Sequence, residues 1–224
     1  MDNFVITIDG PAGSGKSTIA ALVAKKLSAA FLDTGAMYRT VTLAAMNDNI
    51  DMENASELLT VFDNNDFSFS IEADMTITKI NGVDITEDIR KPQVTDNVKY
   101  IASNPQLREK LVRMQRNIAD QYQKIVTEGR DQGTVAFKDA DMKFFLTASV
   151  DERTRRRLAQ LRANGDNSQT PESIKEAIIK RDHSDSSRTT GPLKPAGDAL
   201  IVDTSDLNIE QVVDKLLSYV RQTS

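Results

Sequence analysis

Cysteine is absent from all 224 residues, which excludes a disulfide framework and thiolate chemistry. Histidine occurs once, as His183, in a polar segment beside Asp182 and Asp185, where it reads as a solvated helix-end residue. No stretch approaches the roughly 18 consecutive apolar residues that a spanning helix requires. The chain opens Met1-Asp2-Asn3 and runs directly into an apolar segment, without the basic start or small-residue cleavage site of a secretory signal. A cytoplasmic protein is expected. Excess positive charge is also missing: the formal net charge is −5, which argues against a general nucleic-acid-binding surface. What is present is ordinary for a globular chain, with 39% hydrophobic and 27% charged residues. The length suits one α/β domain carrying small insertions, and a monomer is expected.

Local charge differs from the average. Arg153, Arg155, Arg156 and Arg157 crowd together and Arg181 and Arg188 follow, so a small anion can be gripped although the whole molecule repels polyanions.

The pattern along the chain alternates strand and helix. Phe4 to Asp9 is a β-branched run ended by Gly10-Pro11, the signature of a buried parallel strand feeding a turn. Ile19, Leu22, Val23 and Leu27 then recur at helical spacing from Lys16 onward. A second strand is expected at Ala30-Phe31-Leu32 and a second helix from Met37 to Asn47. Between Phe67 and Thr86, apolar and polar residues alternate around an Asn81-Gly82 turn, which predicts a small antiparallel β insertion. Helical patterns return from Val94 and from Gln106 to Gln123. Strands are expected at Lys124–Glu128, Lys143–Thr147 and Ala199–Asp203, and helices over 151–163, 171–182 and 209–220. The polar stretch 164–170 reads as a mobile loop.

Gly10-Pro11-Ala12-Gly13-Ser14-Gly15-Lys16-Ser17 matches GxxxxGK[ST] in full, between a predicted strand and a predicted helix. Such a P-loop turns backbone N–H groups onto nucleotide phosphates at a helix N-terminus, with Thr18 continuing into the helix. Lys16 is expected to reach the β and γ phosphates of ATP, and the Ser17 hydroxyl to ligate Mg²⁺.

Asp33-Thr34-Gly35-Ala36-Met37-Tyr38-Arg39 resembles the corresponding segment of bacterial cytidylate kinases. The resemblance continues through Gly129 to Thr134, Asp151-Glu152-Arg153 with Arg156-Arg157, Arg181-Asp182 with Asp185 and Arg188, then Pro192-Leu193, Ala196 and Asp198-Ala199. It thus covers nearly the whole chain and is far more specific than the P-loop alone. It implies a three-layer α/β P-loop fold: one kinase domain over residues 1–224, with a monophosphate-binding region and β insertion at about 35–105 and an arginine-bearing helical lid at about 153–172. It further implies Mg²⁺-dependent transfer from ATP to CMP and dCMP, without nucleic-acid or membrane partners. Carried over by residue, Thr34, Tyr38 and Arg39 would line the CMP site, and Arg130 and Asp131 would hold phosphate and base. Arg108 would read the cytosine edge, while Arg181, Asp185 and Arg188 would hold the sugar and neighbouring groups. Two positions depart from the family pattern: Lys99 replaces a small hydroxyl residue near the base, and Glu128 stands where Asp is also common.

The chemistry agrees with the resemblance. Transfer to a phosphate acceptor needs positioning and charge neutralisation rather than a general base, since the acceptor is largely a dianion near neutral pH. Planar guanidinium forks suit that task. Arg153, Arg156 and Arg157, at i, i+3 and i+4, would share one helix face, with Arg153 and Arg157 joining Lys16 as catalytic groups; a solvated basic face is the alternative. Arg130-Asp131 follows a strand end, where open parallel sheets bind ligands, but a structural ion pair is also open to it. Surface pairing is open to Arg181, Asp185 and Arg188, and a core ring with its hydroxyl at the edge to Tyr38. A GTPase switch is excluded by the lack of NKxD and of a convincing DxxG. The remaining rivals are a kinase for another monophosphate or small acceptor, and a non-catalytic nucleotide-binding module.

Overall fold

A computed structural model describes residues 3–72, 75–163 and 165–223. Its strands are β1 (Phe4–Asp9), β2 (Ala30–Asp33), β3 (Phe67–Glu72), β4 (Met75–Ile80), β5 (Val83–Asp84), β6 (Lys124–Gly129), β7 (Met142–Thr147) and β8 (Leu200–Asp203). The helices are α1 (Lys16–Leu27), α2 (Thr34–Asn47), α3 (Ala55–Leu59), α4 (Val61–Asn64), α5 (Pro92–Ser103), α6 (Pro105–Ala119), α7 (Val150–Ala163), α8 (Pro171–Ser186) and α9 (Ile209–Thr223). A five-stranded sheet has the order β2-β6-β1-β7-β8, and β3-β4-β5 form a separate three-stranded sheet. The chain has the expected α/β fold, with a parallel sheet and a small antiparallel insertion.

The described residues fall into two compact units. One contains the chain up to Val5 and Ala24–Glu128; the other contains Ile6–Val23 and the chain from Gly129 onward.

In the first unit β2 pairs in parallel with β6, placing Leu32 opposite Thr127 and Asp33 opposite Glu128. Both strands are buried along most of their length, hence their continuous apolar runs. In β4 exposure alternates, with Thr76, Thr78 and Ile80 buried, as one covered face of an antiparallel sheet demands. Met37, Ile89, Ile101, Leu107 and Leu111 form the centre of this unit's core. Proline at the first turn starts both α5 and α6, and the Asn104 side chain caps α6 by accepting from the N–H groups of Gln106 and Leu107.

In the second unit β1 pairs in parallel with β7 and β7 with β8. Ile6, Ile8, Phe144, Leu146, Val202 and Leu216 are buried there, and the Phe144 and Tyr219 rings lie 6.3 Å apart between centroids. Helix α8 starts at a capping box, with Thr170 and Ser173 satisfying each other's backbone N–H groups. It runs four residues beyond the expected end at Asp182. The Ser-rich end is held by Ser186 Oγ, which donates to the Asp182 carbonyl at 2.8 Å. The stretch expected as a mobile loop begins at Asn164, outside the described residues; residues 166–170 belong to neither helix nor strand.

Candidate functional site

The second unit builds the phosphate cradle from the end of β1. Gly10 has φ +152°, and a Cβ there would lie 2.1 Å from the Leu146 carbonyl oxygen of β7, so only glycine lets the loop pass. Ser14 Oγ donates to the Pro11 carbonyl at 3.1 Å, and Lys16 Nζ donates to that carbonyl at 2.7 Å and to Ser14 Oγ at 3.5 Å. The Lys16 side chain is therefore buried against the loop it serves. Helix α1 starts at Lys16 with no acidic residue in its first turn, leaving the positive end of its dipole unopposed by helix carboxylates.

The arginines of α7 divide among three environments. Arg153 is 4% exposed: its Nε donates to the Ala148 carbonyl at 3.0 Å, and its Nη1 to the Ala12 carbonyl of the cradle at 3.1 Å and to Asp182 Oδ2 at 2.5 Å. A Cβ on Gly13 would stand 3.3 Å from Arg153 Cβ, so this arginine braces the loop from beneath. Arg156 is half-buried, donating to Glu152 Oε1 at 2.7 Å and to Thr204 Oγ1 at 3.0 Å. Arg157 is exposed and donates to Gln160 Oε1 at 2.8 Å. Glu152 also takes two bonds from Arg155, each 2.7 Å. Arg155, then Arg156, draw its carboxyl pKa down to about 2 against a smaller opposing effect of burial.

At the end of β6, Arg130 Nε donates to Asp185 Oδ2 at 2.8 Å, and Arg188 pairs with Asp185 Oδ1. Asp185 is 3% exposed; burial pushes its pKa up, but Arg130, Arg188 and the charge of Arg181 together hold it below the ordinary value. Thus Arg130 meets Asp185 and Arg188, 55 and more residues further along the chain, in one cluster. Asp131 is buried, and its carbonyl accepts from the Val135 N–H at 2.9 Å, opening a π-helical turn at Gln132–Ala136 that the sequence does not announce. Asp9, immediately before Gly10, accepts from the N–H groups of Gln132 at 2.9 Å and Gly133 at 2.8 Å. Burial raises its pKa to about 6; the two N–H groups and Lys16 work in the opposite sense, while Asp131 adds to the rise.

The first unit assembles another group at the start of α2. Asp33 caps the helix, Oδ1 accepting from Ala36 N–H at 2.8 Å, while Oδ2 accepts from Arg39 Nη2 at 3.0 Å. This cap starts α2 at Thr34, three residues before the apolar periodicity does. Thr34 Oγ1 donates to the Glu128 carbonyl at 2.7 Å. The β insertion reaches the same junction: Thr76 Oγ1 accepts from Asp33 N–H at 2.8 Å and donates to the Phe31 carbonyl at 3.2 Å. Tyr38 is buried with its ring 5.4 Å from the Arg108 guanidinium carbon. Arg108 is itself 3% exposed and donates to the Ala102 carbonyl at 3.1 Å. Lys99 is exposed, its ammonium 4.7 Å from the Tyr100 ring centroid.

Four residues of this chemistry escaped the sequence reading: Asp9, Thr76, Glu152 as a charge partner, and Asp182 beneath Arg153. Two of them carried a signal: Asp9, as an acid at the end of an otherwise apolar buried strand, and Glu152, at i,i+3 and i,i+4 from Arg155 and Arg156. Among the described residues no three His, Cys, Asp or Glu side chains converge as a metal cage, and no helix is long and apolar enough to cross a membrane.

Comparison with known proteins gives consistent matches. A family model described as Cytidylate kinase matches residues 6–222. A protein named cytidylate kinase from Bacillus cereus is 45% identical over 215 residues, covering 96% of this chain and 95% of that protein. One of the same name from Clostridium botulinum is 44% identical over 222 residues, covering 99% of this chain and 100% of that protein.

Proposed function

The chain belongs to the cytidylate kinase family, and from that premise we propose that it phosphorylates CMP and dCMP with ATP, acting as a cytoplasmic monomer. The observation that carries the reading beyond nucleotide binding is the Arg130, Asp185 and Arg188 cluster, in the same unit as the P-loop. A module that only bound a nucleoside triphosphate would have no use for a second buried guanidinium set.

Gly10 to Thr18 are assigned to the ATP phosphates, with Lys16 leaving the Pro11 carbonyl to neutralise charge on the transferred group. Arg153 and Arg157 assist it, Arg153 as the fixed base of a lid over about 153–172 and Arg157 as its exposed, redeployable member. The donor set suits Mg²⁺ carried on nucleotide phosphates: the exposed Ser17 stands at the start of α1, and the described residues hold no dedicated carboxylate cage. Bound there, Mg²⁺ would offset phosphate charge. We assign Thr34, Tyr38, Arg39, Arg108, Arg130, Asp131, Arg181, Asp185 and Arg188 to the monophosphate, and about 35–105 to its binding region with the β insertion. Arg39 and Arg130 would meet its phosphate, drawn from Asp33 and Asp185 by the stronger charge of a dianion.

Coupled ADP-release assays over CMP, dCMP, UMP, AMP and shikimate, with ATP and Mg²⁺, test this reading. CMP and dCMP should be used well and UMP less well. Equal efficiency with AMP or shikimate would refute the cytidine assignment, and ATP consumption independent of any acceptor would refute the kinase.

A further inference from the structure

We propose that Asp9 is a positioning residue for the acceptor: its buried carboxylate, one residue before the P-loop, clamps the turn that follows Arg130-Asp131. The inference rests on the reading above, in which Arg130 and Asp131 bind the monophosphate.

The clamp is a matched pair. Gln132 N–H donates to Asp9 Oδ1 and Gly133 N–H to Oδ2, at 2.9 and 2.8 Å, so each carboxylate oxygen meets one of two consecutive backbone donors. An ionised carboxylate presents two acceptors at once; an asparagine presents one acceptor and a donor, which would face an N–H. The sequence fixes the approach a second time at Gly133. A Cβ there would fall 3.0 Å from Thr7 Oγ1 on β1 and 3.3 Å from Lys143 Cδ on β7, so any side chain would press on the strands and glycine lets the turn settle onto them without displacing either neighbour.

What the clamp holds is the start of the π-helical turn. The Asp131 carbonyl accepts from Val135 N–H and Ala136 N–H, and the Gln132 carbonyl from Phe137 N–H at 2.7 Å, so residues 131–137 are tied into one hydrogen-bonded turn. Fixing Gln132 and Gly133 therefore fixes Asp131 and the point where Arg130 leaves β6. The mechanism assigns Asp9 no contact with either substrate, yet the fold keeps a charge 4% exposed between Asp131 and Lys16. A buried carboxylate is poor at stabilising a fold compared with apolar packing, and holding two donors in register is what it does well. The Lys143 stem flanks Gly133, and its ammonium is engaged by the Lys138 carbonyl and Asp198.

The test compares wild-type enzyme with Asp9→Asn and Gly133→Ala, which attack the clamp from its two sides. Kd and KM are measured for CMP and for ATP, after thermal melts establish that each variant folds; if one does not, the other carries the comparison. The dissociation constant for CMP should rise about tenfold or more, as expected for losing a charge-assisted bond, while that for ATP changes less than about twofold. The ratio of Asp9→Asn to wild-type CMP affinity should also approach one as pH falls from about 7.5 to 5.5, because protonation removes the same acceptor from the wild type. Titration of CMP itself is common to both proteins and cancels in that ratio. Unchanged CMP affinity, equal weakening of CMP and ATP, or a ratio independent of pH would overturn the proposal while leaving the kinase reading intact. Failure of the wild type to bind CMP would overturn both.

Discussion

Replacing Asp185 by alanine removes the shared carboxylate from between two guanidiniums and should lower stability more than the loss of two exposed ion pairs would. The Arg130, Asp185 and Arg188 side chains are 19%, 4% and 9% exposed, so little water is available to take over. Removing one partner of a buried pair typically costs about 3–5 kcal/mol, because the remaining charge stays desolvated. Arg130 keeps some solvent and its bond to the Gly129 carbonyl, which favours the lower limit. For a chain of this size, about 3 kcal/mol corresponds to a melting-temperature drop of roughly 6–12 °C, measurable by calorimetry. Asp185→Asn, which keeps an acceptor but not the charge, should fall between the two. The pH dependence follows from the lowered pKa: a carboxyl depressed on folding stabilises fully above its unfolded value of 3.8 and loses that contribution as pH falls through the folded value. The gap between wild type and Asp185→Ala should therefore stay constant from pH 8 to about 5 and close only in stronger acid. A drop below about 2 °C, or a gap that closes near neutrality, would show that the guanidiniums are solvated and that the cluster is not a buried charge network.

Lys16→Ala should lose turnover by about two orders of magnitude or more while the fold persists, as single-turnover kinetics and circular dichroism will show. Gly10→Ala should abolish ATP binding and lower the melting temperature, since its methyl would overlap the Leu146 carbonyl; a soluble variant with normal ATP affinity would contradict the loop geometry. For Asp9, the rise from 3.8 to about 6 corresponds to roughly 3 kcal/mol, with the sign opposite to that of Asp185. Relative to Asp9→Asn, the wild type should gain stability as pH is lowered from about 7 to 4, read from urea melts at several pH values.

Much of the architecture was legible because local signals agreed with tertiary need. The apolar run at Phe4–Asp9 and the alternation in β4 are both direct imprints of which faces are buried. Where the reading fell short, tertiary contacts decided. The Asp33 side chain starts α2 earlier than its apolar periodicity does, and bonds back to Asp182 carry α8 to Ser186 through residues that favour turns. The π-helical turn at Gln132 exists because Asp9, more than a hundred residues away in sequence, receives its first two N–H groups. No local pattern could announce it.

The arginines make the same point about the site. Spacing at i, i+3 and i+4 gave Arg153, Arg156 and Arg157 one helix face and therefore one shared role. Their partners divide them instead: Asp182 and the Ala12 carbonyl, far away in sequence, hold Arg153, Glu152 of the same helix and the distant Thr204 hold Arg156, and of the three only Arg157 stays in solvent. A guanidinium paired in advance is oriented without phosphate, but it must exchange a partner before it can grip one; an exposed guanidinium has the reverse balance. Arg153→Lys should accordingly disturb the cradle itself, because lysine cannot bridge the Ala12 and Ala148 carbonyls and Asp182 together, and both ATP affinity and melting temperature should fall. Arg157→Ala should leave the melting temperature within about 2 °C, as exposed substitutions do, and reduce only kcat. If the two variants behaved alike, the division that burial imposes on this helix would have no bearing on phosphoryl transfer.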